Sequence, residues 1–155
     1  MSEDNKDTLR EWRESAPYWN KHAALVRAMF APITTALIDA AAIRDGQSVL
    51  DVAGGAGEPS LTITETTPTI SLTFTDAVGG MVATARDQAR RRSLNNIEFA
   101  QCVGEALPFS SGTFDVVLSR LGVMLFPDPG AAIREMLRVA KPGGRIALAV
   151  WGPRD

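Results

Sequence analysis

Apolar side chains recur at two different spacings along the chain, and each change of spacing marks an element. Leu25, Met29, Ile33 and Leu37 return every four positions, the interval that stacks side chains on one helix face. Pro32 falls inside that run. Because proline removes a backbone donor and is tolerated in a first helical turn, the pattern predicts two shorter helices, the second starting near Pro32. The polar stretch before them reads as a further helix lying on something else. From Ser48 the spacing changes, and Val49-Leu50-Asp51-Val52 predicts a short buried strand that runs into the glycine cluster Ala53-Gly54-Gly55-Ala56-Gly57. A short helix over 60–66 and a strand over 70–75, closed by Asp76, follow. Met81 to Arg92 predicts a helix with its arginines outward, and 97–103 and 114–119 predict two more strands, parted by the turn Pro108-Phe109-Ser110-Ser111-Gly112. Ile133, Met136, Leu137 and Ala140 fit the i, i+3, i+4, i+7 template of a helix packed on a core. Lys141-Pro142-Gly143-Gly144 ends it, and 146–151 predicts a fifth strand.

Strands that alternate with helices and read as continuous apolar runs predict an α/β fold whose parallel sheet is covered on both faces. Residues 1–45 are expected to form a helical lid, and 46–155 the α/β domain itself. At 155 residues, 45% hydrophobic and 22% charged, the chain has the composition of one globular domain. Its formal net charge of -2 lacks the basic excess of a nucleic-acid binder. The arginines at 86 and 90–92 are accordingly expected to be a solvated face. One cysteine, Cys102, and one histidine, His22, supply neither an intrachain disulfide nor the ligands of a zinc site, so no metal is expected. Reduced thiol chemistry and an acidic, polar start without a signal-like apolar core predict a cytoplasmic protein. No apolar run approaching about 18 residues is evident, so no membrane association is expected.

A parallel sheet binds ligands at the carboxyl ends of its strands, and a glycine turn there lets backbone come close to them. Two ligands use that place, a dinucleotide and S-adenosylmethionine. Gly55 and Gly57 begin the dinucleotide fingerprint G-x-G-x-x-G, but Ser60 stands where its third glycine belongs. Asp51 before the loop and Glu58 after it oppose a pyrophosphate and suit a cationic sulfonium with its amino group. Charge therefore favours S-adenosylmethionine, while a nicotinamide-dependent oxidoreductase is the competing reading.

The segment Val49-Leu50-Asp51-Val52-Ala53-Gly54-Gly55-Ala56-Gly57-Glu58-Pro59 resembles the first motif of class I S-adenosylmethionine-dependent methyltransferases, in the subgroup like the ubiquinone and menaquinone biosynthesis methyltransferases. Four further segments agree in order: Thr75 to Met81, Gly104 to Phe109, Phe114 to Arg120, and Lys141 to Arg145. The resemblance implies a Rossmann-like, doubly wound, mainly parallel sheet in the order 3-2-1-4-5, with N-terminal helices closing over the cofactor. It implies that Asp51 organises the methionine end against the backbone of Ala53, Gly54, Gly55 and Gly57, and that Asp76 accepts from both ribose hydroxyls. Ala77 and Met81 would lie on the adenine, with Gly104, Glu105 and Ala106 on its other side. Ser119, Arg120 and Leu121 would flank the methionine and face the substrate. Two departures stand out: Ala53 replaces the first glycine of the motif, and Val103 stands where the family often has an adenine-binding aspartate.

The implied reaction is methyl transfer to an oxygen, nitrogen or carbon of a small acceptor. No side chain is singled out as catalytic, because in-line displacement on an activated methyl needs alignment more than a covalent catalyst. Trp12, Trp19 and His22 are the substrate-side candidates: the tryptophans, with Tyr18, as a lid, and His22 as the one group that titrates near neutrality. An acid at a strand end can also simply bond loop amides, and Asp51 is read in both ways. The fifth strand is followed only by Gly152-Pro153-Arg154-Asp155, where such methyltransferases usually add further strands. The chain is therefore expected to be truncated after that strand, to bind cofactor better than it turns over, and to form a homodimer through the free edge. A cofactor-binding fragment without activity is the third reading.

Overall fold

The computed structural model describes residues 3–152. The polar start at Met1-Ser2 and the terminal Pro153-Arg154-Asp155 lie outside the described residues. The chain runs α1 (Glu3–Lys21), α2 (Ala23–Ala41), β1 (Ser48–Val52), α3 (Ser60–Thr66), β2 (Ser71–Asp76), α4 (Gly79–Arg91), β3 (Ile97–Gln101) and β4 (Phe114–Arg120). A single 3-10 turn (Val123–Leu125), α5 (Pro129–Val139) and β5 (Ala140–Ala149) complete it. All neighbouring strands pair in parallel, in the order β3-β2-β1-β4-β5. The expected doubly wound, Rossmann-like sheet is thus the observed one. After β3 the chain crosses back over β2 and β1 to lay down β4, so a crevice opens between the carboxyl ends of β1 and β4.

Two apolar layers sandwich the sheet. Leu37 and Ala41 of α2, Ile63 of α3, and Val82 and Ala85 of α4 meet Val49, Leu72, Phe74, Val116 and Leu118 on one face. Met136 and Val139 of α5 and Val123 of the 3-10 turn meet Leu50, Val52, Phe114 and Val117 on the other. Alternate residues of β1 go to opposite faces, as the two-residue period of a strand requires, and both faces are apolar because both are covered. At the amino end of the sheet, Asp115 accepts from the Ser48 amide and hydroxyl, each at 2.8 Å, and from Lys141 Nζ at 2.8 Å. These bonds fasten β1, β4 and β5 together and hold the Asp115 carboxyl down at about 2.

Several element readings need correction. The chain breaks at His22, between α1 and α2, and Pro32 sits inside α2. Ala28, whose carbonyl loses its partner to the proline, and Pro32 are both exposed, so that carbonyl is open to solvent and the helix continues. The buried stripe of α2 runs through Thr34, Leu37 and Ala41, while Leu25 and Met29 are exposed. A four-residue repeat drifts around a helix with 3.6 residues per turn, so it cannot follow one face for five turns. In α5 the buried residues are Ala132, Met136 and Val139, and Ile133 and Leu137 are exposed. That helix begins where Asp128 Oδ1 accepts from the Ala131 amide at 2.8 Å, with Pro129 in the first turn. β5 begins at Ala140, not Ile146, with a register irregularity between Phe114 and Val116 of its partner that absorbs the Lys141 to Gly144 turn. By length and composition α2 is long and apolar enough to cross a membrane. Arg27, Pro32 and Asp39 hide that property when only unbroken apolar runs are sought.

Candidate active site

The loop after β1 is shaped by packing from below. The Gly54 amide donates to the Thr75 carbonyl at 2.9 Å. A β-carbon at Gly54 would enter the Phe74 ring and lie 2.9 Å from the Asp51 carboxyl. Gly55 has a φ of +58° and only open space beside it, so the loop turns its bare backbone outward there. Gly57, by contrast, lies against Leu61 and Ala85 and lets α3 approach α4. Ala53 takes the left-handed conformation, φ 59°, and so does Leu121 across the crevice, φ 60°. Two side chains held in that region beside one cavity mark strained backbone at a site.

Asp76 ends β2 and fastens this loop. Its Oδ2 accepts from the Gly55 amide and its Oδ1 from the Val78 amide, both at 2.9 Å. An ionised carboxylate has about four acceptor positions, so roughly two remain for a ligand. Burial raises its carboxyl above the usual range, and the Val78, Gly55 and Ala77 amides oppose that. Asp51 lies deeper and is fully buried. Its Oδ2 accepts from the Ser60 hydroxyl at 2.6 Å, and its Oδ1 has no partner. Burial pushes it up to about 7, against the Ser60 hydrogen bond and the charge of Arg120, with Asp76 adding to the rise. The Ser119 hydroxyl is likewise buried without a partner.

Above these groups lies a cavity of about 880 Å³. The structure brings Ala53, Gly54, Gly55, Asp76, Ala77, Met81, Gly104, Glu105 and Arg120 together on its wall, with Trp12 and Trp19 over them. It does not bring Gly57, Ala106 or His22 there. Gly57 serves helix packing, Ala106 is exposed, and the His22 ring rests on Tyr18 with centroids 4.4 Å apart. Asp51 and Ser119 are fully buried and do not line the cavity. Helix α1 is anchored by Ala16, which packs with Val78 and Met81, and the Trp12 and Trp19 rings lie 5.9 Å apart beside them.

Sequence reasoning missed several groups. Arg92, expected on a solvated face, turns inward, and with Arg27 of α2 it forms ion pairs to Glu58 and Glu65. Arg27, Glu58 and Arg92 all line the cavity. An arginine whose acid lies on another element has no signature at helical spacing, so only the fold reveals the pairing. Phe30, Phe126 and Trp151 also line it. The Gly104 to Phe109 wall is held by α5, where Glu135 accepts from the Leu107 amide at 2.9 Å. Arg138 donates there to the Leu107 and Phe109 carbonyls at 2.9 and 2.7 Å.

The donor set suits S-adenosylmethionine. Buried acceptors without partners call for a donor such as an ammonium group, Asp76 retains acceptor capacity for a diol, and Gly55 leaves room for close approach. Ser60, which breaks the dinucleotide fingerprint, is the residue that binds Asp51.

Comparison with known proteins agrees. The profile of the ubiE/COQ5 methyltransferase family matches residues 33–150. An uncharacterized protein of Mycobacterium tuberculosis is 35% identical over 130 residues, 84% of this chain and 46% of that protein. The ubiquinone/menaquinone biosynthesis C-methyltransferase UbiE of Pseudomonas putida is 38% identical over 113 residues, 72% of this chain and 44% of that enzyme. The solved structure of the YcgJ protein from Bacillus subtilis superposes with a TM-score of 0.70 at 33% identity, covering 74% of this chain and 48% of that one. The chain spans about half the length of the relatives it matches. Sheet order, loop geometry and these matches together identify it as a member of the ubiE/COQ5 methyltransferase family, with S-adenosylmethionine as cofactor.

Proposed function

We propose that the cavity at the carboxyl ends of β1, β2 and β4 holds S-adenosylmethionine and presents it to a small-molecule acceptor for methyl transfer. The observation that carries this reading is the Asp76 carboxylate, oriented by two amides beside the bare Gly55 backbone, with acceptor positions to spare. Asp76 would hold the ribose, Ala77 and Met81 one face of the adenine, and Gly104 and Glu105 its edge. Asp51 and Ser119, both with unsatisfied oxygens, would receive the methionine amino group. Bound there, the cofactor supplies a methyl group activated by its sulfonium charge. The protein then needs to align the acceptor and keep water out, and alignment alone can supply a large part of a rate enhancement. Trp12, Trp19 and Phe30 cover the cavity from the α1 and α2 side and suit the second task. His22, packed on Tyr18 outside the cavity, is not given a part in the chemistry.

Calorimetric titration with S-adenosylhomocysteine tests the reading. Asp76→Ala should weaken binding by about 1.5–3 kcal/mol, the range for hydrogen bonds to a charged group. Equal affinity in that variant removes Asp76 from the site. Heat from NADH but none from S-adenosylhomocysteine would transfer the cavity to the oxidoreductase reading.

A further inference from the structure

Of the cations lining the cavity, two are matched by acids and one is not. Arg27 lies 3.3 Å from Glu58 and 2.9 Å from Glu65, and Arg92 lies 3.4 Å from each. Arg120, at the end of β4, has no carboxylate within salt-bridge reach among the described residues. It is held by neutral groups instead. Nη1 donates to the Thr34 hydroxyl of α2 at 2.7 Å, and the guanidinium carbon stands 5.5 Å from the centroid of the Phe30 ring. Thr34 takes one of about five guanidinium donors, which leaves most of the fork free.

Two acids, Asp51 and Glu58, act on it from a distance, but neither pairs with it. Glu58 is committed to Arg27, Arg92 and the Thr62 hydroxyl. Asp51, the other acid acting on Arg120, is fully buried and bonded to Ser60. A half-buried cation without an acid partner is costly, and S-adenosylmethionine, whose sulfonium and ammonium outnumber its one carboxylate, adds net positive charge to the same cavity. An anion completes the arrangement. A planar fork with free donors matches a carboxylate bidentately. Around it the wall is apolar: Phe30 lies 6.2 Å from Trp151, and Leu121, Met124 and Leu125 line the same cavity. Trp151, Met124 and Leu125 are also exposed, so they offer an unfilled apolar surface at its mouth.

We propose that Arg120 recognises a carboxylate on the methyl acceptor, so that the acceptor is a small carboxylic acid with an apolar, ring-sized body lying against Phe30 and Trp151. The inference rests on the methyl-transfer reading and adds the substrate class to it. Thr34 and Phe30 are positioning residues, since they fix the guanidinium from the lid side.

The test uses the full chain saturated with S-adenosylhomocysteine and two probes of equal shape, phenylacetate and phenylacetamide, with binding followed by NMR titration. The acid should bind at least tenfold more tightly than the amide. Arg120→Gln should abolish that preference while costing S-adenosylhomocysteine far less than it costs phenylacetate. Thr34→Val, which removes only the hydroxyl that orients the fork, should reduce the preference severalfold and serves if the first variant does not fold. Equal binding of acid and amide to the unmodified protein overturns the proposal, as does a preference that survives both substitutions. A loss of S-adenosylhomocysteine affinity as large as the loss of phenylacetate overturns it too, by assigning Arg120 to the carboxylate of the cofactor. Failure of S-adenosylhomocysteine to bind the unmodified protein would instead overturn the methyl-transfer reading, so the two failures are distinct.

Discussion

At residue scale the most consequential group is Asp51, an acid that is fully buried with one oxygen bonded to Ser60 and the other unsatisfied. Its pKa rises from 3.8 to about 7 on folding, chiefly through burial. The folded state therefore holds the proton more tightly than the unfolded chain does. It follows that stability falls as pH rises from about 4 to about 7, and that the penalty is complete above that window. Asp51→Asn keeps the shape and removes the charge. The melting temperature of the cofactor-free variant, measured against the unmodified protein, should gain with pH across that window and level off above it. A constant difference from pH 4 to pH 8 would show that folding does not raise the Asp51 pKa. Ala53 departs from the expected glycine at the same loop, and its φ of 59° shows that the backbone retains the conformation a glycine would favour.

At the scale of elements, the walls of the cavity depend on ties between helices and loops. The Gly104 to Phe109 segment has no regular structure of its own. It is held because Arg138 donates to two of its carbonyls and Glu135 accepts from one of its amides, while the Arg138 Nε lies 2.6 Å from Glu135. That pairing holds the Glu135 carboxyl below its usual range. Arg138→Ala should therefore leave the sheet intact and loosen this wall. Hydrogen exchange at Leu107 should quicken and S-adenosylhomocysteine should bind more weakly, with circular dichroism unchanged. Unaltered exchange at Leu107 would mean that the segment is held by its apolar contacts, Leu107 and Phe109 against Phe114, rather than by α5.

At the scale of the whole molecule, β5 forms one edge of the sheet among the described residues, with Leu148 exposed on it and Val150 and Trp151 exposed just past its end. An apolar edge with free backbone groups can recruit another strand. Self-association through this edge is our reading of how the molecule behaves in solution. Light scattering over a dilution series checks it: Val150→Lys should lower the mean mass at a concentration where the unmodified chain associates. A single monomeric mass for both proteins at every concentration would leave β5 as an ordinary edge.

The sequence by itself determined the class of fold, because strands buried on both faces must be apolar throughout and helices between them must show a helical period. Val49 to Val52 and the glycines after them were legible for that reason, and so was Asp76 at the end of the next strand. The resemblance of five ordered segments to the methyltransferases added the strand order, which no local pattern contains. Which face of a helix is buried was only partly legible. Leu25 and Met29 of α2, and Ile133 and Leu137 of α5, fit an apolar repeat yet lie exposed, because apolar residues on several faces leave the choice to the packing. The tertiary structure alone decided that Pro32 is accommodated in α2, that Arg92 turns inward to Glu58 and Glu65, and that Gly57 serves α3 and α4 rather than the cavity. It alone set Arg120 against Thr34 and Phe30 without an acid beside it. Each of these depends on contacts between residues far apart in the chain, and spacing along a sequence carries no record of what meets across a fold.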